Sequence, residues 1–550
     1  MNGLRTGTAA VLAMAVLLVS GCGATPAPQG RTGGTLYVLT QDTSIDLDPA
    51  RNLNLPTTWL GLVGRRLTNW DVRPGQAPKL VPDLATDLGK PSADGLTWTF
   101  TLKDGITYED GTPVTSRDIK YGVERSFAPQ LAGGLAYHKV ILKDAGGYTG
   151  PYDGADLAAV STPDDKTIVF HLAYPYGDWP WIVSTPAFVP VPKDKDDPKT
   201  YGTKPSATGP YKVDSNTTGV SLTLVRNERW SAATDPVRTA GPDRIVFKLG
   251  QNLSTTTQTL LADVGDAKNS FNANPLGAAD LALVNNNAAA KSRLVTSDAG
   301  SLFYLALNAQ RGALSDVRVR QALEYAVDRR AVIIAQGGPG AAVKASTLIT
   351  PGIPGRQDYD LYPAGDSGDP DKAKSLLAQA GHDRDLKLTL WVANDEQSQA
   401  IGQAVQQGLQ RAGVAVTMVP LDPATMYTDA TGDAPPGYDL MLSWWLPDFP
   451  SAWGNVYPLF HSSQIGGGGY NLSRFKDPEV DTLLNAAVAE PDLTKAQQLW
   501  AQADRAVMQS APVIPLTFGR NAFLRGSNVQ NMFVAAYPPF QNYLTVSLKQ

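Results

Sequence analysis

Tyr438-Asp439-Leu440-Met441-Leu442-Ser443-Trp444-Trp445-Leu446-Pro447-Asp448-Phe449-Pro450-Ser451-Ala452-Trp453-Gly454-Asn455-Val456-Tyr457-Pro458 is the stretch on which the reading of this chain turns. Leu440 to Leu446 is a short apolar run of the kind that forms a buried strand. Pro447 and Pro450 end it, because proline has no N–H to give to a sheet ladder. Asp448 lies between those prolines, with Trp444, Trp445, Phe449 and Trp453 close by in sequence. A carboxylate delivered from the end of a strand into aromatic surroundings suits a cationic group, such as an amine, taken out of water. The same residues also fit a plainer arrangement, with Asp448 capping its own turn and the tryptophans filling core. The residues by themselves leave both open.

Outward from that strand, the second half of the chain alternates. A strand is expected over 302–307, then a helix capped by Ser315 with Val319, Ala322, Leu323, Ala326 and Val327 on its apolar face. Asp369 and Pro370 open a helix that Gly381 closes, with Ala373, Leu376, Leu377 and Ala380 inward. A strand over 386–392 follows, then a helix with Ile401, Val405, Leu409 and Ala412 inward that ends at Gly413, and a strand over 414–419. Asp477-Pro478 and Asp492 start two more helices before a strand over 513–516. This alternation predicts an α/β lobe with a largely parallel sheet. Up to about residue 250 the chain is richer in strands. Leu96, Trp98, Phe100 and Leu102 alternate with polar residues, and further strands are expected over 36–39, 167–172, 220–225 and 245–249. A short strand is expected between the turns Asp104-Gly105 and Asp110-Gly111, and then a helix capped by Thr115 or Ser116 with Ile119, Val123 and Phe127 apolar.

The chain starts with an export signal: Arg5, an apolar run from Ala9 to Val19, and Val19-Ser20-Gly21-Cys22. The run is shorter than the ~20 residues a permanent membrane helix needs. Its ending resembles a bacterial lipobox, whose cysteine receives a lipid. Cys22 is the single cysteine of the chain, so no internal disulfide framework is available to explain it. Residues 23–34 are small, polar and rich in proline and glycine, as in a flexible leash. The rest is long enough for two or three domains of ~150 residues. The net charge of −5 is mild and no basic run occurs, so a nucleic-acid partner is not expected.

Catalytic and metal signatures are missing from the sequence. His138, His171, His382 and His461 are scattered, with no pair at metal-ligand spacing, and neither a metal nor a cofactor is expected. Gly337-Gly338-Pro339-Gly340 lacks the ending of a phosphate loop and reads as a turn. Ser473-Arg474-Phe475-Lys476 matches a Ser-x-x-Lys pattern by chance, since it abuts a helix start and lacks its companion motif.

Several further stretches, taken together, carry a resemblance. Leu80-Val81-Pro82-Asp83-Leu84-Ala85 is followed by the run from Asp94-Gly95-Leu96-Thr97-Trp98 to Asp104-Gly105, then Asp110-Gly111-Thr112-Pro113-Val114-Thr115 and Glu124-Arg125-Ser126. Asp165 to Leu172, Thr208-Gly209-Pro210-Tyr211, Leu224 to Glu228, and Asp316-Val317-Arg318-Val319-Arg320-Gln321-Ala322-Leu323 with Ala326 to Arg329 complete the set in order. This pattern, over Gly34 to Lys549, resembles family 5 of the extracellular solute-binding proteins of ABC importers, the oligopeptide-, dipeptide- and nickel-binding group. The resemblance implies a two-lobed, periplasmic-binding-protein-like clamp of type II with an extra subdomain in the first lobe. Lobe one would take residues 34–299 and 519–550, with 71–204 as the extra subdomain, and lobe two residues 300–518. Residues 1–21 would be the lipoprotein signal and 22–33 the lipid-anchored linker.

In peptide-binding members an aspartate after a tryptophan-rich strand receives the α-ammonium of the ligand, and Asp448 matches it. The resemblance implies that the strand end, Trp444, Trp445 and Leu446, pairs with the ligand main chain. Asn54 and Leu55, after the Leu47-Asp48-Pro49 turn, match the opposing segment, and Tyr137 matches a tyrosine of the subdomain. Two departures bear on the ligand. The loop after the 386–392 strand reads Ala393-Asn394-Asp395-Glu396, where dipeptide binders carry an arginine, which argues against a short dipeptide. Trp444 replaces a small residue and Trp453 adds aromatic surface, which also suits a sugar. The expectation is therefore a non-enzymatic, monomeric lipoprotein, exported and anchored through Cys22 to the outer face of the cell membrane. It would pass an oligopeptide-like solute to ABC permease subunits with their ATPases. An oligosaccharide or glycoside held by the tryptophans is the alternative ligand.

Overall fold

The structure is a computed structural model that describes residues 33–53, 55–382 and 386–549. The export signal, Cys22, residues 23–32 of the leash and Asn54 lie outside the described residues. The fold is α/β, a two-lobed clamp with a smaller antiparallel unit beside the first lobe, built on three principal sheets.

The first sheet has the order Ser270–Asn272, Thr35–Leu39, Arg244–Lys248, Ser221–Arg226, Tyr211–Thr217. Its first three strands run parallel and the other pairings are antiparallel. Leu36 and Val38, and Ile245 and Phe247, are buried and alternate with partly exposed positions, the period-two pattern of a half-buried strand.

The smaller unit holds an antiparallel sheet of Lys90–Pro91, Thr97–Thr101, Thr167–His171 and Val160–Ser161. Trp98 and Phe100 turn into its core, and Thr97, Thr99 and Thr101 turn away. Helix Ser116–Ser126 packs on this unit with Ile119 and Val123 fully buried. Thr115 and Asp118 form a reciprocal capping box at its start. The strand expected between Gly105 and Gly111 is reduced to one bridge, Thr107 to Pro113, because the two turns leave too little chain to build a ladder.

The third sheet has the order Ala342–Lys344, Val513–Gly519, Ser301–Leu307, Leu440–Trp445, Lys387–Ala393, Ala415–Leu421. The expectation of a largely parallel sheet is corrected here. Only the pairings of Lys387–Ala393 with its two neighbours are parallel, and the rest are antiparallel. The reason lies in how the chain reaches this sheet. Ser301 is opposite Gly519, and just before them Leu294–Thr296 pairs with Ala522–Leu524. The chain thus enters on one strand and leaves on its neighbour, and adjacent strands of opposite direction must pair antiparallel. Gly300 sits in this double crossing, where a Cβ would lie 2.2 Å from the Ala536 carbonyl oxygen. Helices Pro370–Gln379, Glu396–Arg411, Pro478–Ala489 and Leu493–Gln509 start at aspartates whose side chains accept backbone N–H groups. Helix Val317–Ala326 is capped by Asp316 rather than Ser315, since Ser315 ends the preceding turn and its hydroxyl donates to the Gly312 carbonyl at 2.8 Å.

Two buried ionic clusters join the parts. Asp83 accepts from Arg65 at 2.7 Å and from Arg238 at 3.0 Å, and Arg238 also holds Asp235 at 3.0 Å. Burial alone would raise the Asp83 carboxyl, but Arg238 and Arg65 beside it hold it down at about 2. Arg125 of the Ser116–Ser126 helix takes both oxygens of Asp48 at 2.9 Å and Asp196 at 2.8 Å. That pairing fixes the Leu47-Asp48-Pro49 turn against the smaller unit. Among the described residues, no helix is long and apolar enough to cross a membrane.

Candidate functional site

The site begins with an incomplete strand edge. Leu440–Trp445 pairs along one side with Ser301–Leu307, from Leu307↔Leu440 to Leu302↔Trp445. On its other side Lys387–Ala393 meets it only at Leu390↔Leu440 and Trp391↔Met441. Beyond Met441 no strand among the described residues covers that side. Unpaired strand edges take up extended chains readily, because their backbone groups seek partners. Trp444 stands out from this stretch with 54% of its surface exposed.

Asp448 follows two residues beyond Leu446, half-buried. The Tyr137 hydroxyl donates to its Oδ2, so these two expected residues are brought into direct contact. Tyr137 opens the short helix Tyr137–Ile141 of the smaller unit, and the contact therefore spans the two lobes. Its ring meets Phe449 and Trp453 edge-on, each at 5.4 Å. Burial pushes the Asp448 carboxyl up, and the Tyr137 hydrogen bond partly opposes that. Burial and the neighbouring carboxylate raise the Tyr137 phenol well above its ordinary value. The polar partner of this carboxylate is thus a neutral phenol, and a desolvated carboxylate so placed favours a cation.

Phe449, Trp453, Tyr457 and His461 stand four residues apart and stack in a column, with interplanar angles of 13–16°. The last three follow helix Trp453–Phe460, which contains Pro458. Proline leaves the carbonyl four residues back without its helical donor. That carbonyl is Gly454, and the Trp445 indole N–H donates to it at 2.6 Å. Trp445 thereby joins the strand to the column, and its ring also packs on Tyr470 at 5.1 Å. Trp453, expected as a ligand-facing aromatic, is stacked with Phe449 and Tyr457, and its edges meet Tyr137 and Tyr176. These contacts take up much of its ring, and the residue stays partly exposed.

Leu55 and Leu446 are partly buried and pack on the same apolar core as Tyr137. Asn54, expected beside Leu55, lies outside the described residues. Sequence reasoning missed four residues around Asp448. The Tyr537 hydroxyl donates to the Pro447 carbonyl at 2.7 Å, Ser451 donates to Asp178, and Tyr176 packs on Trp453 at 6.1 Å. Tyr176 and Asp178 lie in a segment without helical or strand periodicity, and Tyr537 lies in the tail, so only the folded chain brings them here. Among the described residues no group of His, Cys, Asp and Glu is placed to hold a metal ion.

Comparison with known proteins agrees with this architecture. The model of the middle region of the bacterial extracellular solute-binding proteins, family 5, matches residues 79–467. The solved structure of the clavulanic acid biosynthesis oligopeptide binding protein 2 is similar at a TM-score of 0.83 and 32% identity, covering 94% of this chain and 96% of its own. The periplasmic murein peptide-binding protein MppA of Escherichia coli (strain K12) is 27% identical over 518 residues, which is 90% of this chain and 91% of MppA. The glutathione-binding protein GsiB of Escherichia coli O1:K1 / APEC is 25% identical over 449 residues, 80% of this chain and 81% of GsiB.

Proposed function

Because the chain belongs to family 5 of the bacterial extracellular solute-binding proteins, we propose that it captures an oligopeptide-like solute between its lobes and delivers it to the permease of an ABC importer. The lobes are 34–299 with 519–550, and 300–518, with 71–204 as the subdomain. The grouping of the strands into three sheets supports this division. The protein performs no chemistry of its own. It is a monomer held at the outer face of the cell membrane by a lipid on Cys22, and it meets permease subunits and their ATPases there.

Asp448 carries the reading. A half-buried carboxylate whose polar partner is the Tyr137 phenol is suited to the α-ammonium of a peptide. The open edge beyond Met441 supports pairing of the ligand main chain with Trp444, Trp445 and Leu446. Main-chain pairing uses groups common to every peptide, so it tolerates many sequences. The relatives named for murein peptide, oligopeptide and glutathione binding support a peptide-type ligand. Mass spectrometry of solutes released by acid from the purified protein tests this. A ladder of mixed peptides is expected, and a single carbohydrate mass would overturn it.

Such a carbohydrate is the second reading, an oligosaccharide or glycoside. The exposure of Trp444 and of Tyr470, at 54% and 42%, favours it by offering ring faces for stacking.

A further inference from the structure

Asp448 sits on a loop that is short of backbone donors, since Pro447 and Pro450 have no N–H to hold it. The loop is held from outside instead. The Tyr537 hydroxyl, in the C-terminal tail, donates to the Pro447 carbonyl at 2.7 Å. No backbone N–H among the described residues reaches that carbonyl. Tyr537 is itself wholly buried. Burial, and after it the charge of Asp448, raise its phenol well above the ordinary value, so it donates as a neutral hydroxyl.

The tail is closely seated at this point. Ala536 and Tyr537 lie against two glycines of the 300–518 stretch that also carries Asp448. A Cβ on Gly300 would lie 2.2 Å from the Ala536 carbonyl oxygen. One on Gly352, whose φ is +84°, would lie 2.7 Å from both the Tyr537 amide nitrogen and the Ala536 Cβ. Just beyond, the Asn521 side-chain amide donates to the Pro539 carbonyl at 2.8 Å. The Tyr537 ring packs on Trp70 at 5.8 Å, and the Trp70 indole N–H donates to the Ser184 hydroxyl at 2.8 Å. A ring enclosed in this way holds its hydroxyl in one place.

We propose that Tyr537 is a positioning residue for the ammonium site, a role that rests on reading Asp448 as the ligand's anionic partner: by holding the Pro447 carbonyl it sets the direction in which Asp448 presents its carboxylate. The Pro447 ring fixes φ, so the soft dihedral left at that residue is ψ, which swings the same carbonyl. That carbonyl shares a plane with the Asp448 N–H and Cα. A hydrogen bond to its oxygen therefore fixes the tilt of the plane, and with it the root of the Asp448 side chain. Hydrogen bonds weaken steeply as their angle departs from linear. A swing of this plane costs affinity for an ammonium and leaves main-chain pairing at Trp444 to Leu446, upstream of the turn, in place.

Calorimetric titration with random pentapeptides, free or acetylated at the N-terminus, tests this on wild type, Tyr537→Phe, Asp448→Asn and the double variant. Tyr537→Phe keeps the ring and its packing on Trp70 and removes the hydroxyl alone. It should weaken binding of the free pool roughly tenfold and leave the acetylated pool unchanged. In the Asp448→Asn background the same change should add nothing for the free pool. Equal losses for both pools in Tyr537→Phe would assign the residue to packing and overturn the proposal, as would a free-pool loss of full size in the Asp448→Asn background. A Tyr537→Phe protein that separates the pools as well as wild type does would overturn it too, with the Asp448 reading intact. Wild type that binds both pools alike would overturn the Asp448 reading itself, and the role of Tyr537 with it.

Discussion

Asp448 and Tyr137 are 311 positions apart and meet in one hydrogen bond. With an ammonium seated between them, removal of the carboxylate leaves a desolvated cation without its partner. Asp448→Ala should weaken peptide binding by about 2–5 kcal/mol, roughly 30-fold or more, in calorimetric titration. A neutral sugar would lose far less. Only an ionised Asp448 pairs with an ammonium, and burial raises its pKa, so peptide affinity should weaken as pH falls into that raised carboxyl range. At this scale the isolation of Asp448 by two prolines after an apolar run was legible, while a ligand role for it, and Tyr137 itself, were reached only through the family resemblance. Asp178 and Ser451 were not legible, since a buried carboxylate with one hydroxyl partner leaves no trace in local sequence.

Helix Trp453–Phe460 shows where element reading fails. Pro447 and Pro450 end the strand as read, but the helix that follows was not foreseen; it runs through Pro458 because Trp445 supplies the donor that Pro458 lacks. Trp445→Phe keeps the ring bulk and strands the Gly454 carbonyl. It should cost about 1–3 kcal/mol in denaturant unfolding. Helices that open on Asp-Pro, such as Pro370–Gln379 and Pro478–Ala489, were legible because cap and first-turn chemistry is local. Strand direction was not, because periodicity reports which face is buried and says nothing of the neighbour's direction. The antiparallel pairing of Ser301–Leu307 with Val513–Gly519 follows from the double crossing of the chain.

At the scale of the whole molecule, buried ion pairs fix the parts that frame the cleft. Arg125 neutralises both Asp48 and Asp196, so Arg125→Ala leaves two buried carboxylates without a cation. A loss of about 3–5 kcal/mol in thermal or denaturant unfolding is expected. The Asp83 contribution is fully present above its ordinary carboxylate value and is lost as pH falls through about 2. Acid unfolding followed by circular dichroism should therefore be shallower in Asp83→Asn than in wild type. The two-lobed plan was reached through the family resemblance, and the passage from strand-rich chain to alternating strands and helices in the second half agreed with it. How the lobes touch was not, since it depends on residues from the subdomain and the tail meeting the segment 447–454.

The most direct test of peptide capture through Asp448 is calorimetric titration of the purified protein with a pool of random pentapeptides, free at the N-terminus, and with the same pool acetylated there. Acetylation removes the ammonium and leaves the peptide main chain otherwise unchanged. Binding of the free pool and a loss of roughly 30-fold or more on acetylation is the predicted result. Equal binding of both pools would contradict it.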